Sequence, residues 1–568
     1  MKKYFAEKDY ITENNSLLPQ LDLNNMVECQ DFIKKGLNLQ NAWINPWGWQ
    51  SWNPCEEIMP GKKQKSLTCH LIKQWNKYLT FPESNFKPSK NIVLGQFITY
   101  FRWENYYFFI VSTGNLNTET PLPPVQYVIN RKSNSILIEL ADKGKTWKKD
   151  ELMCQLEFFT AESYFEAQEK LKAIFGTSDS ESALYSHRFD SIQFLGKTSF
   201  GWESWYNHYA RIDEKIILKD LSKLSSTENF LSVNKNEYHQ VFQIDDGWEQ
   251  SLGDWERDSI KFPQDFSHIT SEIESKNLVP GLWIAPFIID SRSSTAKKHP
   301  EWLLKNHNHK LIPAGYNPLW GKNGTFYALD LSNPEVISHL DHLIETAINK
   351  WGFRYLKLDF CYAGMFYGNY QNKGAAYQWF NNAIKILTSR KTNHKGQPVA
   401  YLGCGVPFEP AYNYLPLSRI GCDTFEHWEN KISRLINWNG RNSAYLNLKD
   451  TLGHAITDKI IFANDPDVIF IRENNCTLTI EEKLLIGKIN IMFGSQLMYS
   501  DDPSAEPVEQ ELYLIRELKS FREKVKDEKF SVKNLGVNYY EIQSESGKYK
   551  GFIDLGKKHL LELYKTGE

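Results

Sequence analysis

The chain has little of what would mark a membrane protein, a disulfide scaffold or a nucleic-acid binder. No run approaches the length of a membrane span, and the opening MKKYFAEKDYITENN has no apolar core behind its leading lysines, so neither a membrane partner nor a secretory leader is expected. Eight cysteines in 568 residues are too sparse for a disulfide framework, and none forms a CxxC pair or pairs with histidine at zinc-finger spacing. Reduced thiols and a cytoplasmic location follow as the expectation. An excess of one charge is also missing. Lys and Arg total 66 against 69 acidic residues, which leaves no field to draw in nucleic acid or an anionic surface. The 14 histidines, His454 included, show no ligand spacing, and there is no phosphate loop, so no metal or cofactor is called for. Tandem repeats and low-complexity tracts are absent as well.

Aromatic residues, by contrast, are plentiful. With 18 Trp, 29 Tyr and 33 Phe they make up 14% of the chain. Rings that stack on the C–H face of a pyranose would account for this bias, and so would aromatic-rich cores and interfaces. The apolar share of 41% and charged share of 24% are ordinary for a globular chain long enough for several domains.

Three textures follow one another along the chain. Residues 1–185 hold short aromatic or alternating runs (NIVLGQFITYF, YYFFIVST, SILIELAD) between Asn, Gly, Pro and Ser turns, the pattern of an antiparallel β-sandwich. A helical stretch, YFEAQEKLKAIFG, and a polar linker, TSDSESALYSH, close it. Residues 186–505 alternate apolar strands with amphipathic stretches such as VISHLDHLIETAINKWG. Eight strand candidates occur there in order: TSFGWESWY, YHQVFQIDD, VPGLWIAPF, YLKLDF, VAYLGCG, SRIGCD, DVIFIR and SQLMYSDD. That count predicts a (β/α)8 barrel, an α/β fold. Residues 506–568 return to alternation (VNYYEIQS, KYKGFIDL, HLLELYK) and read as a small C-terminal β-domain.

A barrel's chemistry sits at the C-terminal ends of its strands, so the polar residues there are the candidates. Strand two closes on Asp245-Asp246, strand three carries Trp283, and strand four ends in Lys357-Leu358-Asp359. Strand five ends around Cys404, strand six runs from Arg419 to Asp423, and strand eight ends in Asp501-Asp502. Two carboxylates on separate strands can flank a glycosidic bond, one attacking the anomeric carbon while the other protonates the leaving oxygen. Lys357 and Asp359 alternate on one strand and should point the same way, which would let the lysine keep that carboxylate ionised. Asp423 is the candidate acid/base. Helix capping would explain any one strand-end Asp, but it does not explain a cluster at five strand ends.

The barrel segment resembles family 36 of the glycoside hydrolases, the α-galactosidases, and especially its compact thermophilic bacterial members. The likeness lies in GWESWY, FQIDDGWE, GDW, PGLWIAPF, HPEW, YALDLS, RYLKLDF, LGCGVP, RIGCD and NDPDVIFIR, collinear, with WQSWNPC at residues 49–55 extending it. It implies a retaining double displacement on an α-galactoside substrate, with Asp359 as nucleophile and Asp423 as acid/base. By the same likeness Asp245 and Asp246 would accept hydrogen bonds from sugar hydroxyls, and Trp205 and Trp283 would wall the pocket. Trp52 would reach in from the sandwich, Cys404 would line the sugar, and Lys357 and Arg419 would bind hydroxyls and hold the two catalytic carboxylates. Asp465 and Asp467 are read mainly as structural support near the rim.

Three departures from the family pattern bear on specificity. Cys422 stands where proline is expected, Phe360-Cys361-Tyr362 follow the nucleophile in place of a more aliphatic run, and the loop 313–325 lacks an arginine that many relatives use. They affect preference at C2 and for the aglycone. The alternatives are an α-N-acetylgalactosaminidase, a raffinose-synthase-like galactosyl transferase, and an inactive sugar-binding protein. The intact pair Asp359 and Asp423 argues against the last.

Overall fold

A computed structural model describes every residue except 31–32, 34–35, 66–76, 117–119, 177–188, 196–197, 225–239, 318–319, 321–323, 430–441, 561–562 and 566–568. The polar linker read at TSDSESALYSH lies outside the described residues. Ahead of it, two antiparallel sheets stack. A four-stranded sheet orders Leu17–Asp22, Ser135–Leu140, Val125–Asn130 and Ile92–Gln96. A five-stranded sheet orders Lys2–Phe5, Leu152–Ala161, Tyr106–Ser112, Ile98–Trp103 and Trp43–Asn45. Val93, Tyr127, Ile136 and Ile138 of the first sheet meet Ile44, Phe101, Phe108 and Ile110 of the second in one core.

The run YYFFIVS in the second sheet does not alternate apolar with polar because both of its faces are covered. Phe108 and Ile110 face the sandwich core, while Tyr107, Phe109 and Val111 join a second cluster with Phe408, Tyr412, Ile456 and Phe462 from the barrel. The sandwich is thereby seated on the barrel.

The barrel sheet comprises β1 (Ser199–Glu203), β2 (Gln240–Ile244), β3 (Leu278–Ile284), β4 (Tyr355–Leu358), β5 (Ala400–Gly403), β6 (Leu417–Arg419), β7 (Ala463–Asp465), β8 (Val468–Ile469) and β9 (Gln496–Tyr499). Pairing is parallel throughout in the order β7, β6, β5, β4, β3, β2, β1, β9, β8. β7 and β8 are two pieces of one strand, so the ring of eight closes and the predicted (β/α)8 barrel is what the chain forms. The strand read as DVIFIR begins earlier than expected and breaks at Pro466-Asp467. Proline has no N–H for the ladder, and Asp467 sits at φ +75°. The strand read as SRIGCD likewise ends at Arg419, which leaves Asp423 on the loop beyond it.

The helix over Pro334–Glu345 runs on through a wider turn at Thr346–Lys350 before β4. Beyond the barrel, a helix the strand pattern did not suggest, Glu509–Val525, buries Leu514, Ile515 and Leu518. An antiparallel sheet built on Phe530–Gly536, Tyr539–Ser544 and Tyr549–Asp554 follows it. Among the described residues no helix is long and apolar enough to cross a membrane.

Candidate active site

β4 reads YLKL and is buried throughout, and the chain leaves it through Asp359. The Asp359 N–H donates to the Ile284 carbonyl (2.8 Å), which extends the β3 pairing by one residue. Phe360 then turns the chain at φ +53°, a left-handed conformation that a bulky residue adopts at an energetic cost. This turn brings the Phe360 N–H onto Asp359 Oδ1 at 2.7 Å, while Trp283 Nε1 donates to Oδ2 at 2.9 Å. Both oxygens of the candidate nucleophile are thus fixed by donors, and the carboxylate is aimed before any substrate arrives.

Lys357 takes a different course from the one expected. Its ammonium pairs with Asp245 Oδ2 (2.9 Å) and Glu203 Oε2 (3.5 Å), not with Asp359. Two buried acids hold the amine between them, whereas Asp359 already has two donors of its own. Gln243 joins the same knot, with Nε2 at 2.6 Å from Asp245 Oδ2 and 3.4 Å from Glu203 Oε2. Burial works against the charged amine, but Asp245 and Glu203 outweigh it and hold Lys357 protonated well beyond the ordinary lysine range. Burial also pushes Glu203 well above the usual carboxylate range, against the pull of Lys357. Glu203 was not among the candidates, although a charged residue closing the apolar run SFGW is a sequence signal.

Asp245 and Asp246 share one turn but face different partners. Asp246 Oδ2 accepts from Trp320 Nε1 at 2.6 Å. Burial, and then the adjoining Glu249, push Asp246 well above its ordinary range. Trp320 lies in the loop 313–325 and packs against both Trp283 and Phe360, with ring centroids 6.1 and 5.2 Å apart. In the loop that lacks arginine, an indole N–H is the donor found on Asp246.

Asp423 lies on the loop after β6. Arg419 Nη1 donates to its Oδ1 (2.9 Å) and Asn442 Nδ2 to its Oδ2 (3.0 Å). The side chain keeps 29% of its surface open, against 3% for Arg419. Its carboxyl is pushed up to about 6, first by burial and then by the charges of Asp467 and Asp359, against the pull of Arg419 and Lys357. Asp423 therefore lies within the field of Asp359. Asn442 gave no sequence signal; it reaches Asp423 from just ahead of the helix Ala444–His454.

Of the remaining candidates, Trp52 and Cys404 come close to this pair. WQSWNPC is tied to the barrel by Ser51 N–H to the Val406 carbonyl (3.0 Å), Val406 N–H to Ser51 Oγ (3.0 Å) and Cys55 N–H to Asp450 Oδ1 (2.8 Å). That footing carries Trp52 to within 5.1 Å of the Phe360 ring, edge on, next to the candidate nucleophile. The Cys404 thiol is pushed up by burial and then by Asp359, with Arg419, Lys357 and Asp423 also acting on it, so it sits among the site's charges. Trp205 packs edge-on against Tyr209, whose hydroxyl donates to Glu426. Among the described residues, the one group of three whose atoms could share a metal ion is His299, Glu301 and Glu335, outside this mouth.

Residues 216–383 match the Melibiase family model. Alpha-galactosidase 1 of Pediococcus pentosaceus is 29% identical over 127 residues, 21% of this chain and 16% of that protein, so the aligned part spans well under a fifth of that relative. The α-galactosidase TtGalA of Thermus thermophilus superposes with a TM-score of 0.68 over 92% of each chain at 22% identity. The GH36 α-galactosidase AgaA of Geobacillus stearothermophilus superposes with a TM-score of 0.55 at 12% identity, over 96% of this chain and 67% of its own. At those identities the two structural likenesses speak for the fold. With the family model and the curated relative, they bear out the resemblance drawn from the barrel motifs.

Proposed function

We propose that this chain, which bears the family 36 resemblance along its barrel, is a retaining α-galactosidase that removes terminal α-linked galactose by double displacement. One observation carries the reading. A carboxylate fixed at both oxygens, Asp359, stands in the field of a second, Asp423, whose carboxyl is pushed up to about 6. A nucleophile must be ionised and aimed, whereas an acid/base must be able to hold a proton and give it up.

In the first half of the reaction Asp359 attacks the anomeric carbon while Asp423 passes its proton to the leaving oxygen, which gives a galactosyl ester on Asp359. In the second half Asp423, now a base, takes a proton from water as the water attacks the same carbon, and α-galactose leaves. Lys357, Asp245 and Asp246 line the side of the mouth where they would meet sugar hydroxyls, with Cys404 beside the nucleophile and Trp52, Trp205 and Trp283 as aromatic walls. TtGalA has been crystallised with p-nitrophenyl α-D-galactopyranoside, which makes that compound the first substrate to try. The division at residues 1–185, 186–505 and 506–568 and the cytoplasmic location belong to the same proposal. The seven free cysteines among the described residues support the location.

The test is a panel of aryl α-glycosides assayed without added metal. Cleavage of the α-galactoside, with α-galactose as the first product by NMR, is the expected outcome. Asp359→Ala should be inactive, and azide should return some activity as a β-galactosyl azide. Equal activity of Asp359→Ala and the natural chain would overturn the mechanism.

A further inference from the structure

One guanidinium serves three carboxylates in this site. Arg419 reaches Asp423 through Nη1 (2.9 Å), Asp467 through Nη2 (2.6 Å) and Asp465 through Nε (3.4 Å), so its shortest contact is to Asp467 and not to the candidate acid/base. Asp465 lies beside Arg419 in the pairing of β6 with β7. Asp467 comes from the break between β7 and β8, where its φ of +75° swings the side chain back over the strand end. Its second oxygen accepts from the Tyr206 hydroxyl (2.6 Å) and the Thr424 N–H (2.7 Å). With three donors and no acceptor around it, Asp467 occupies the place of an ionised carboxylate, which can only accept. It is also buried, so water screens its charge little.

We propose, on the reading of Asp423 as the acid/base, that Asp467 is a positioning residue for proton transfer. By holding Arg419 in the shorter contact and placing its own negative charge beside Asp423, it lets Asp423 keep the proton destined for the leaving oxygen. Were Arg419 engaged by Asp423 alone, the ion pair would favour the carboxylate and the proton would be lost.

The other groups facing Asp423 act in known directions. Asp359, on the loop after β4, opposes its ionisation, and Arg419 and Lys357 favour it. The Cys404, Cys422, Tyr206 and Tyr209 side chains also lie within its field, but burial pushes all four upward, so they stay neutral through the working range. Asn442 donates without carrying charge. Asp467 is therefore the anionic neighbour that both competes for Arg419 and raises Asp423.

The experiment compares the natural chain with Asp467→Asn and Tyr206→Phe. In Asp467→Asn the alkaline limb of kcat/KM should move down by about one pH unit, the size of shift a single neighbouring charge produces. At fixed pH, cleavage of an alkyl α-galactoside should fall roughly tenfold more than cleavage of a dinitrophenyl α-galactoside, whose leaving group needs no acid. Tyr206→Phe removes one donor from Asp467, leaves its charge less compensated and should move the limb upward. Should Asp467→Asn fail to fold, the direction of the Tyr206→Phe shift decides. Limbs that coincide in all three proteins would overturn the proposal, as would equal losses on the two substrates. Titration of carbon-13-labelled Asp423 by NMR, assigned against Asp423→Asn, needs no turnover. If the natural chain does not cleave α-galactosides, the proposed function fails, and this titration still decides the role of Asp467.

Discussion

At the scale of single residues, the site separates two carboxylates by their donors. In the proposed mechanism Asp423 carries a proton into the first chemical step, and its carboxyl is pushed up to about 6, so kcat/KM should fall as pH rises through about 6. A pH–rate profile checks this, and a limb that persists in Asp423→Asn would show that another group titrates there. Asp359 depends on Trp283 Nε1 for one of its two donors. Trp283→Phe keeps an aromatic ring but removes the N–H with the five-membered part of the indole, and the lost hydrogen bond to a charged group, at about 1.5–3 kcal/mol, corresponds to a loss of roughly 10- to 100-fold in kcat/KM. Unchanged circular dichroism beside that loss would separate aim from folding. The strand ends made Asp359 and Asp423 legible in the sequence, because a barrel delivers strand ends to one mouth. Their partners were not legible. Lys357 bonds to Glu203 across 154 residues, and Asn442 and Trp320 arrive on loops whose path no strand pattern dictates. Competition among buried acids for one amine, which decided where Lys357 points, is a property of three-dimensional neighbours.

At the scale of elements, the segment WQSWNPC shows how a sandwich loop becomes part of a barrel mouth. Its far end rests on the helix Ala444–His454, where Gly453 lies against the backbone of Cys55. A Cβ on Gly453 would come 1.9 Å from the Cys55 carbonyl oxygen, a backbone atom that no rotamer change can move away. Gly453→Ala should therefore lift the segment, disturb Trp52, raise KM for the α-galactoside and destabilise the protein by about 1–3 kcal/mol. Thermal unfolding and steady-state kinetics measure the two effects, and a variant with natural KM would show that Trp52 does not depend on this footing. Elements whose pattern follows from burial were easy to read, notably the amphipathic stretch that became Pro334–Glu345. Elements set by local backbone chemistry were harder. The seventh strand was placed late because its apolar half, VIFI, lies beyond the Pro466-Asp467 break, whereas its first half, Ala463–Asp465, is too short and polar to stand out.

At the scale of the whole molecule, the three textures of the sequence corresponded to real differences in architecture, but the seam between sandwich and barrel could not be read from either part alone. The seam is largely apolar and carries the buried acid Glu409. Glu409, on the short turn Phe408–Ala411 after β5, accepts from Ser112 Oγ (2.5 Å) and the Val125 N–H (2.8 Å), both from the sandwich. Burial pushes its carboxyl up from 4.5 to about 7, against the pull of those donors. A carboxyl raised in the folded state binds its proton more tightly there than in the unfolded chain. The stability this contributes is present below the unfolded value and is lost as pH climbs through about 7, by up to about 3 kcal/mol in all. Glu409→Gln keeps the shape and an oxygen to accept from the Val125 N–H but cannot ionise, so its melting temperature should decline less between pH 5 and 8 than that of the natural chain. The other titrating groups are common to both proteins and cancel in the difference. Parallel melting curves would mean that the acid in the seam ionises without strain, with the two docked parts yielding enough to let water reach it.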